Sequence, residues 1–130
     1  MNRRPRPMRR TRVEDYYFCK CMVLKTAEGG TYDGYDEPIP FKGEVWPAGG
    51  KVQAELYGER INYIRNVKIE GDYTMQLGDD GQLHYVFSEE LDICERDGLC
   101  LYADSEDPVP DYKIIAIRPT KPLRLEAEKL

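Results

Sequence analysis

Residues Ile61–Phe87 read INYIRNVKIEGDYTMQLGDDGQLHYVF, and this stretch decides the fold. In an extended chain Ile61, Tyr63, Val67 and Ile69 share one face, interrupted only by Arg65. Asn62, Asn66, Lys68 and Glu70 take the other face, so the period of two predicts a half-buried strand. Tyr73, Met75 and Leu77 then alternate with polar residues, Gly78–Gly81 forms a loop, and Leu83, Tyr85 and Phe87 resume the alternation. That pattern predicts a β-hairpin. His84 falls opposite Leu83, Tyr85 and Phe87, which predicts a surface or interface residue with no catalytic role.

Working outward, Tyr112–Ile117 is apolar on both faces, Pro119–Pro122 forces a turn, and Leu123, Leu125 and Ala127 alternate with Arg124, Glu126 and Glu128. A second hairpin is expected there. Upstream, YYFCKCMVLK at Tyr16–Lys25 reads as one strand buried on both sides. Ala27–Pro40 gathers Gly29, Gly30, Gly34, Pro38 and Pro40, the composition of a long loop, and two exposed tyrosines in it, Tyr32 and Tyr35, suit a docking or gating role. Phe41–Trp46 predicts a short strand ended by Pro47 and Gly49–Gly50. Lys51–Gly58 fits either a short helix (Val52, Leu56, Tyr57) or a strand (Val52, Ala54, Leu56), and Leu99–Tyr102 fits another strand. The expected fold is all-β: a small β-barrel or sandwich of about seven or eight short strands with at most one short helix.

The chain has 130 residues and a net charge of −5, with 41% hydrophobic and 33% charged residues. This size predicts one domain. The charge is divided unevenly. Arg3, Arg4, Arg6, Arg9, Arg10 and Arg12 give the first twelve residues +6 with no acid, whereas Val13–Leu130 holds 13 basic and 24 acidic residues, a charge of −11. Residues 1–12 therefore read as a flexible basic arm and 13–130 as one acidic β-rich domain. Nothing approaches a membrane-spanning stretch, and the expected setting is cytosolic. An acidic folded face is a poor match for gripping phosphate, so only the arm suits nucleic acid.

Catalytic material is sparse, with one histidine, His84, and two serines, Ser88 and Ser105. No triad can be assembled in the usual way, and no glycine-rich phosphate loop is present. Cys19, Cys21, Cys94 and Cys100 lack the paired knuckles of a structural zinc site. Buried reduced thiols are the expectation, with a four-cysteine zinc site as the alternative. Acid clusters at Asp33–Glu37, Asp79–Asp80, Glu89–Asp92 and Asp104–Asp107 lack calcium-loop spacing and read as solvated surface. No cofactor and no metal are expected. Ten tyrosines and Trp46 instead offer the large rings and polar tips of contact surfaces.

The order of features in Trp46–Gly50, Val52–Arg60, Asn62–Ile64, Asp97–Tyr102, Asp111–Pro119 and Leu123–Glu126 resembles the head-tail connector proteins of tailed bacteriophages, of the head-closure or stopper type. The resemblance spans about Glu44–Leu130 and rests on structural rather than catalytic motifs. It implies a β-barrel protomer of a hexameric or dodecameric ring stacked against portal or adaptor, located at the head-tail junction of the virion and, during assembly, in the host cytoplasm. Such rings retain packaged DNA and dock the tail. The expected partner-binding residues are Arg3, Arg4, Arg6, Arg9, Arg10 and Arg12, which suit an acidic neighbour or DNA in the channel, together with Tyr32, Tyr35, Trp46 and Tyr57.

Overall fold

The computed structural model describes residues 12–25, 27–102 and 109–130. Eleven strands run through them: β1 (Glu14–Cys19), β2 (Cys21–Lys25), β3 (Thr31–Tyr35), β4 (Ile39–Pro47), β5 (Ile64–Ile69), β6 (Thr74–Leu77), β7 (Leu83–Val86), β8 (Asp92–Ile93), β9 (Gly98–Cys100), β10 (Tyr112–Arg118) and β11 (Leu123–Lys129). One helix, α1 (Lys51–Tyr57), and a 3-10 turn at Gly58–Tyr63 lie between β4 and β5. Six strands close a barrel in the order β1–β4–β5–β11–β10–β9. Every neighbouring pair is antiparallel. Closure leaves this sheet no free edge.

Alternation fills the barrel. Tyr16 and Phe18 of β1, Phe41 of β4, Val67 and Ile69 of β5, Leu99 of β9, Tyr112 and Ile114 of β10, and Leu123, Leu125 and Ala127 of β11 form one buried cluster. Each large aliphatic or aromatic side chain removed from water there contributes roughly 1.5–3 kcal/mol. Gly43 allows β4 to lie close against β5, because a Cβ at this position would collide with the Lys68 carbonyl oxygen. The register of β10 shifts between Ile114 and Ala116 against β11. This bulge re-phases the strand and explains why Tyr112–Ile117 is apolar on both faces.

Two smaller sheets extend the barrel. β2 and β3 form a hairpin, and β6–β7–β8 form a three-stranded sheet. Tyr85, Leu91 and Ile93 of the latter belong to the barrel's own buried cluster, with Tyr73 and Phe87 packed against it. The hairpin expected over Tyr73–Phe87 forms from β6 and β7, with Leu77 opposite Leu83 and Thr74 opposite Val86.

Three expectations need correction, and one open choice is settled. Tyr16–Lys25 is two strands in two sheets, broken at Lys20, whose ammonium turns inward to meet Asp97. Ala27–Pro40 is not one long loop, since Thr31–Tyr35 pairs with β2 across a short turn at Ala27–Gly30 in which Gly29 has φ +88°. The strand expected from Ile61 starts at Ile64, because Ile61–Tyr63 belong to the 3-10 turn. The ambiguous segment Lys51–Tyr57 is helical and ends at Gly58, whose φ of 58° suits a residue without a Cβ.

Candidate functional site

Of the residues expected to bind partners, Arg3, Arg4, Arg6, Arg9 and Arg10 lie outside the described residues, and Arg12 is exposed. The backbone of Tyr32 pairs with Leu24, and its side chain lies outside the described residues. Tyr35 is half-buried rather than exposed: a Cβ on Gly98 would come within 2.8 Å of its ring. Trp46 and Tyr57 are likewise half-buried, and both reach the outer face of β11. The Arg124 guanidinium sits 5.3 Å from the Trp46 ring centre. The Tyr57 hydroxyl donates to the Glu126 carboxylate. Burial, reinforced by that hydrogen bond, pushes the Tyr57 pKa up to about 12.

β11 therefore presents a charged side chain at every second position, Arg124, Glu126 and Glu128. Glu126 also accepts from Arg118 at 2.9 Å, and Glu128 accepts two bonds from Arg60, at 2.8 and 2.7 Å. Gln53 completes the attachment of α1, donating to Asn66 Oδ1 at 2.6 Å and accepting from the Gly49 N–H at 2.9 Å. Gln53 and Tyr57 are four residues apart and face the barrel, which turns Val52 and Leu56 outward. They are 76% and 58% exposed, and Tyr63 beyond them is 57% exposed. On the β6–β7 hairpin Met75, Leu77 and Leu83 are similarly exposed, at 49%, 74% and 47%. The i, i+4 spacing of Val52 and Leu56 is the one signal of this exposed surface that the sequence carries. Deciding that this face points outward requires knowing that Asn66 and Glu126 lie beneath the other one.

A second constellation lies where β1, β2, β8 and β9 meet. Asp97, 1% exposed, accepts from the N–H groups of Cys21 at 2.9 Å and Cys94 at 2.8 Å and from Lys20 Nζ at 3.2 Å. Burial raises its pKa above the ordinary carboxylate range, against the pull of those donors. Lys20 Nζ also donates to the Asp92 carbonyl at 3.1 Å and to Cys94 Sγ at 3.2 Å. Burial opposes the Lys20 charge, but Asp97 and Cys94 outweigh it and hold its pKa above the usual value. Cys94 Sγ lies 3.2 Å from His84 Nδ1, which is 2.9 Å from the Asp92 carboxylate, and His84 Nε2 is 3.2 Å from Asp80.

His84, expected at the surface or an interface, is half-buried with its side chain 17% exposed, and it links Asp92 and Cys94 to Asp80. The register Tyr85–Ile93 and Val86–Asp92, continued by one residue, places His84 opposite Cys94. Asp92 and Cys94 are two apart, so both lie on the His84 face. The hydrogen bond to Asp92, more than the one to Asp80, raises the His84 pKa against the effect of burial. Burial pushes the Cys94 thiol up as well, the residue being 3% exposed.

The four cysteines do not converge. Cys19 and Cys100 lie with sulfurs 3.9 Å apart, and burial first, then each other's proximity, pushes Cys100 up to about 12. Among the described residues, the donor cluster that would fit a metal ion comprises His84, Asp92 and Cys94, and Cys94 is the only cysteine in it. No described helix is long and apolar enough to cross a membrane. Comparison with protein-family models, with curated proteins and with solved structures finds no match to this chain.

Proposed function

We propose that this chain is a structural virion protein of a tailed bacteriophage, a subunit of the head-tail connector ring that closes the head, retains packaged DNA and docks the tail. One observation carries the reading: the barrel is closed and filled, while large apolar side chains stand in water on elements that project from it. Val52, Leu56 and Tyr63 on one projection and Met75, Leu77 and Leu83 on the other are surface of the kind that assembly removes from solvent. A closed barrel cannot extend its sheet into a neighbour, so contacts must run through such projections. The resemblance of Glu44–Leu130 to head-closure proteins supports the same reading. In it the chain forms a hexamer or dodecamer against portal or adaptor and has no catalytic task. The arginine arm pairs with an acidic face of the adjacent ring, and DNA in the channel is its competing partner.

The test is localisation. An antibody against this chain is applied to tailed particles and to particles from cells in which the chain is not made. Label at the head-tail vertex, and DNA-leaking tailless heads when the chain is missing, are expected. Label elsewhere, or normal tailed particles without the chain, overturns the proposal. A neighbouring neck or tail-completion subunit would label the same region but leave the heads full.

A further inference from the structure

We propose that His84, Asp92 and Cys94 form a binding site for a single zinc-like divalent cation that pins β7 to β8 and to the turn leading into β9. This goes beyond the assembly role and does not depend on it. His84 Nδ1, an Asp92 carboxylate oxygen and Cys94 Sγ all lie within 4.8 Å of one another. Zinc bonds of about 2.0–2.3 Å set tetrahedral N···S and N···O edges of roughly 3.5 and 3.3 Å. The separations of 3.2 and 2.9 Å from Nδ1 fall a few tenths short of those edges, so Asp92 and Cys94 need only draw back slightly from the imidazole nitrogen to admit an ion.

The donor types select the metal. A thiolate with an imidazole and one carboxylate suits zinc and its neighbours in the first transition row, whereas magnesium and calcium take oxygen sets. The surroundings are those of a ligated histidine. Asp80 lies 3.2 Å from Nε2 and can accept the proton there, which turns the Nδ1 lone pair toward Asp92 and Cys94. Lys20 donates to Cys94 Sγ at 3.2 Å, a bond that a thiolate accepts more strongly than a thiol. Lys20 does not supply the charge that the cluster lacks, because it is already paired with Asp97. With that pair cancelled, the Asp80 and Asp92 carboxylates face one imidazole, and a dication offsets them.

An acidic groove borders the cluster at Asp92. Asp92 and Lys20 line this groove of about 510 Å³, whose other charged walls are Asp36, Glu37, Glu89 and Glu90. Such a funnel concentrates cations at the one ligand that borders it. Because Cys94 and Asp92 flank Ile93 in the core while His84 sits on β7, an ion here would tie strand pairing to packing. Asp97, which accepts the Cys94 N–H, carries the tie to Cys21 at the start of β2.

The experiment uses the full chain, freed of metal with a chelator and exchanged into clean buffer. Zinc chloride is titrated against a chromophoric chelator, and cobalt chloride is followed by its thiolate charge-transfer and tetrahedral d–d absorption. One ion per chain is expected, with the thiolate band present. Cys94→Ser should abolish the band and weaken zinc by about a hundredfold or more, while His84→Gln and Asp92→Asn each weaken it at least tenfold and Asp80→Asn about tenfold. Cys19→Ala combined with Cys100→Ala should leave stoichiometry and affinity unchanged. Each variant is compared with the metal-free parent by near-ultraviolet circular dichroism. If Cys94→Ser fails that comparison, His84→Gln and Asp92→Asn decide alone. The site is refuted if the parent binds no more tightly than these variants, or if the Cys19/Cys100 variant is the one that loses the ion.

Discussion

The helical segment Lys51–Tyr63 and the sheet β6–β8 both leave the barrel wall, yet they are fastened by opposite chemistry. The sheet contributes Tyr85, Leu91 and Ile93 to the same apolar cluster that fills the barrel. The helical segment buries no residue at all. It is held by Gln53 on Asn66, Tyr57 on Glu126 and Arg60 on Glu128. Apolar burial couples an element to global unfolding, whereas a few polar contacts at a surface let it open by itself. The sheet is therefore part of the barrel's folding unit, and the helix is a clip that presents Val52 and Leu56 outward.

The largest test of this contrast is Ile93→Ala. Ile93 lies outside the barrel strands but is fully buried, and deleting its side chain should cost about 3–4 kcal/mol, as much as Leu125→Ala inside the barrel. Denaturant unfolding of the two variants measures this directly. A cost for Ile93→Ala below about 1 kcal/mol would make the sheet a separate unit. Next in size is Asp97→Ala, which takes the carboxylate from the Lys20 ammonium and the acceptor from the N–H groups of Cys21 and Cys94. A loss of about 3 kcal/mol is expected from removing one partner of a buried, hydrogen-bonded pair. Lys20 and Asp97 replaced together by methionine and leucine should recover part of it, and no recovery would show that the two N–H groups carry the loss.

How much of this contrast was legible in the sequence follows the same physics. Alternation of apolar and polar residues is enough to mark Leu83–Phe87 and Leu123–Ala127 as strands, although Leu83 proves exposed and Glu126 buried. It fails at Lys20, because a charged residue in an apolar run ends the strand only if a buried partner exists, and Asp97 is 77 residues away. It fails at Lys51–Tyr57 for the opposite reason. The helix turns its polar Gln53 and its Tyr57 hydroxyl inward, so apolar spacing points away from the barrel. The Asp92–Cys94 spacing and His84 were visible separately, but only the β7–β8 pairing sets them face to face. Trp46 and Tyr57 are expected from the sequence to bind partners, and what it leaves hidden is that within the chain they meet Arg124 and Glu126 of β11.

Smaller effects separate the clip from what it presents. Tyr57→Phe removes a hydrogen bond to a carboxylate that still holds Arg118, so about 1–2 kcal/mol should be lost. The loss should appear in the local opening of α1: amide exchange at Ala54–Tyr57 speeds up by roughly tenfold while β5 and β11 amides keep their rates. Uniform acceleration across the chain would mean that the helix unfolds only with the barrel. Leu56→Ser, at a side chain already in water, should change monomer stability by less than about 0.5 kcal/mol. If Leu56 is contact surface, the same change should lower self-association or attachment to partner rings, read by light scattering and by incorporation into particles. Equal stability with equal assembly would leave the outward face of α1 without a role, and the exposed β6–β7 hairpin would then be the projection that carries the interface.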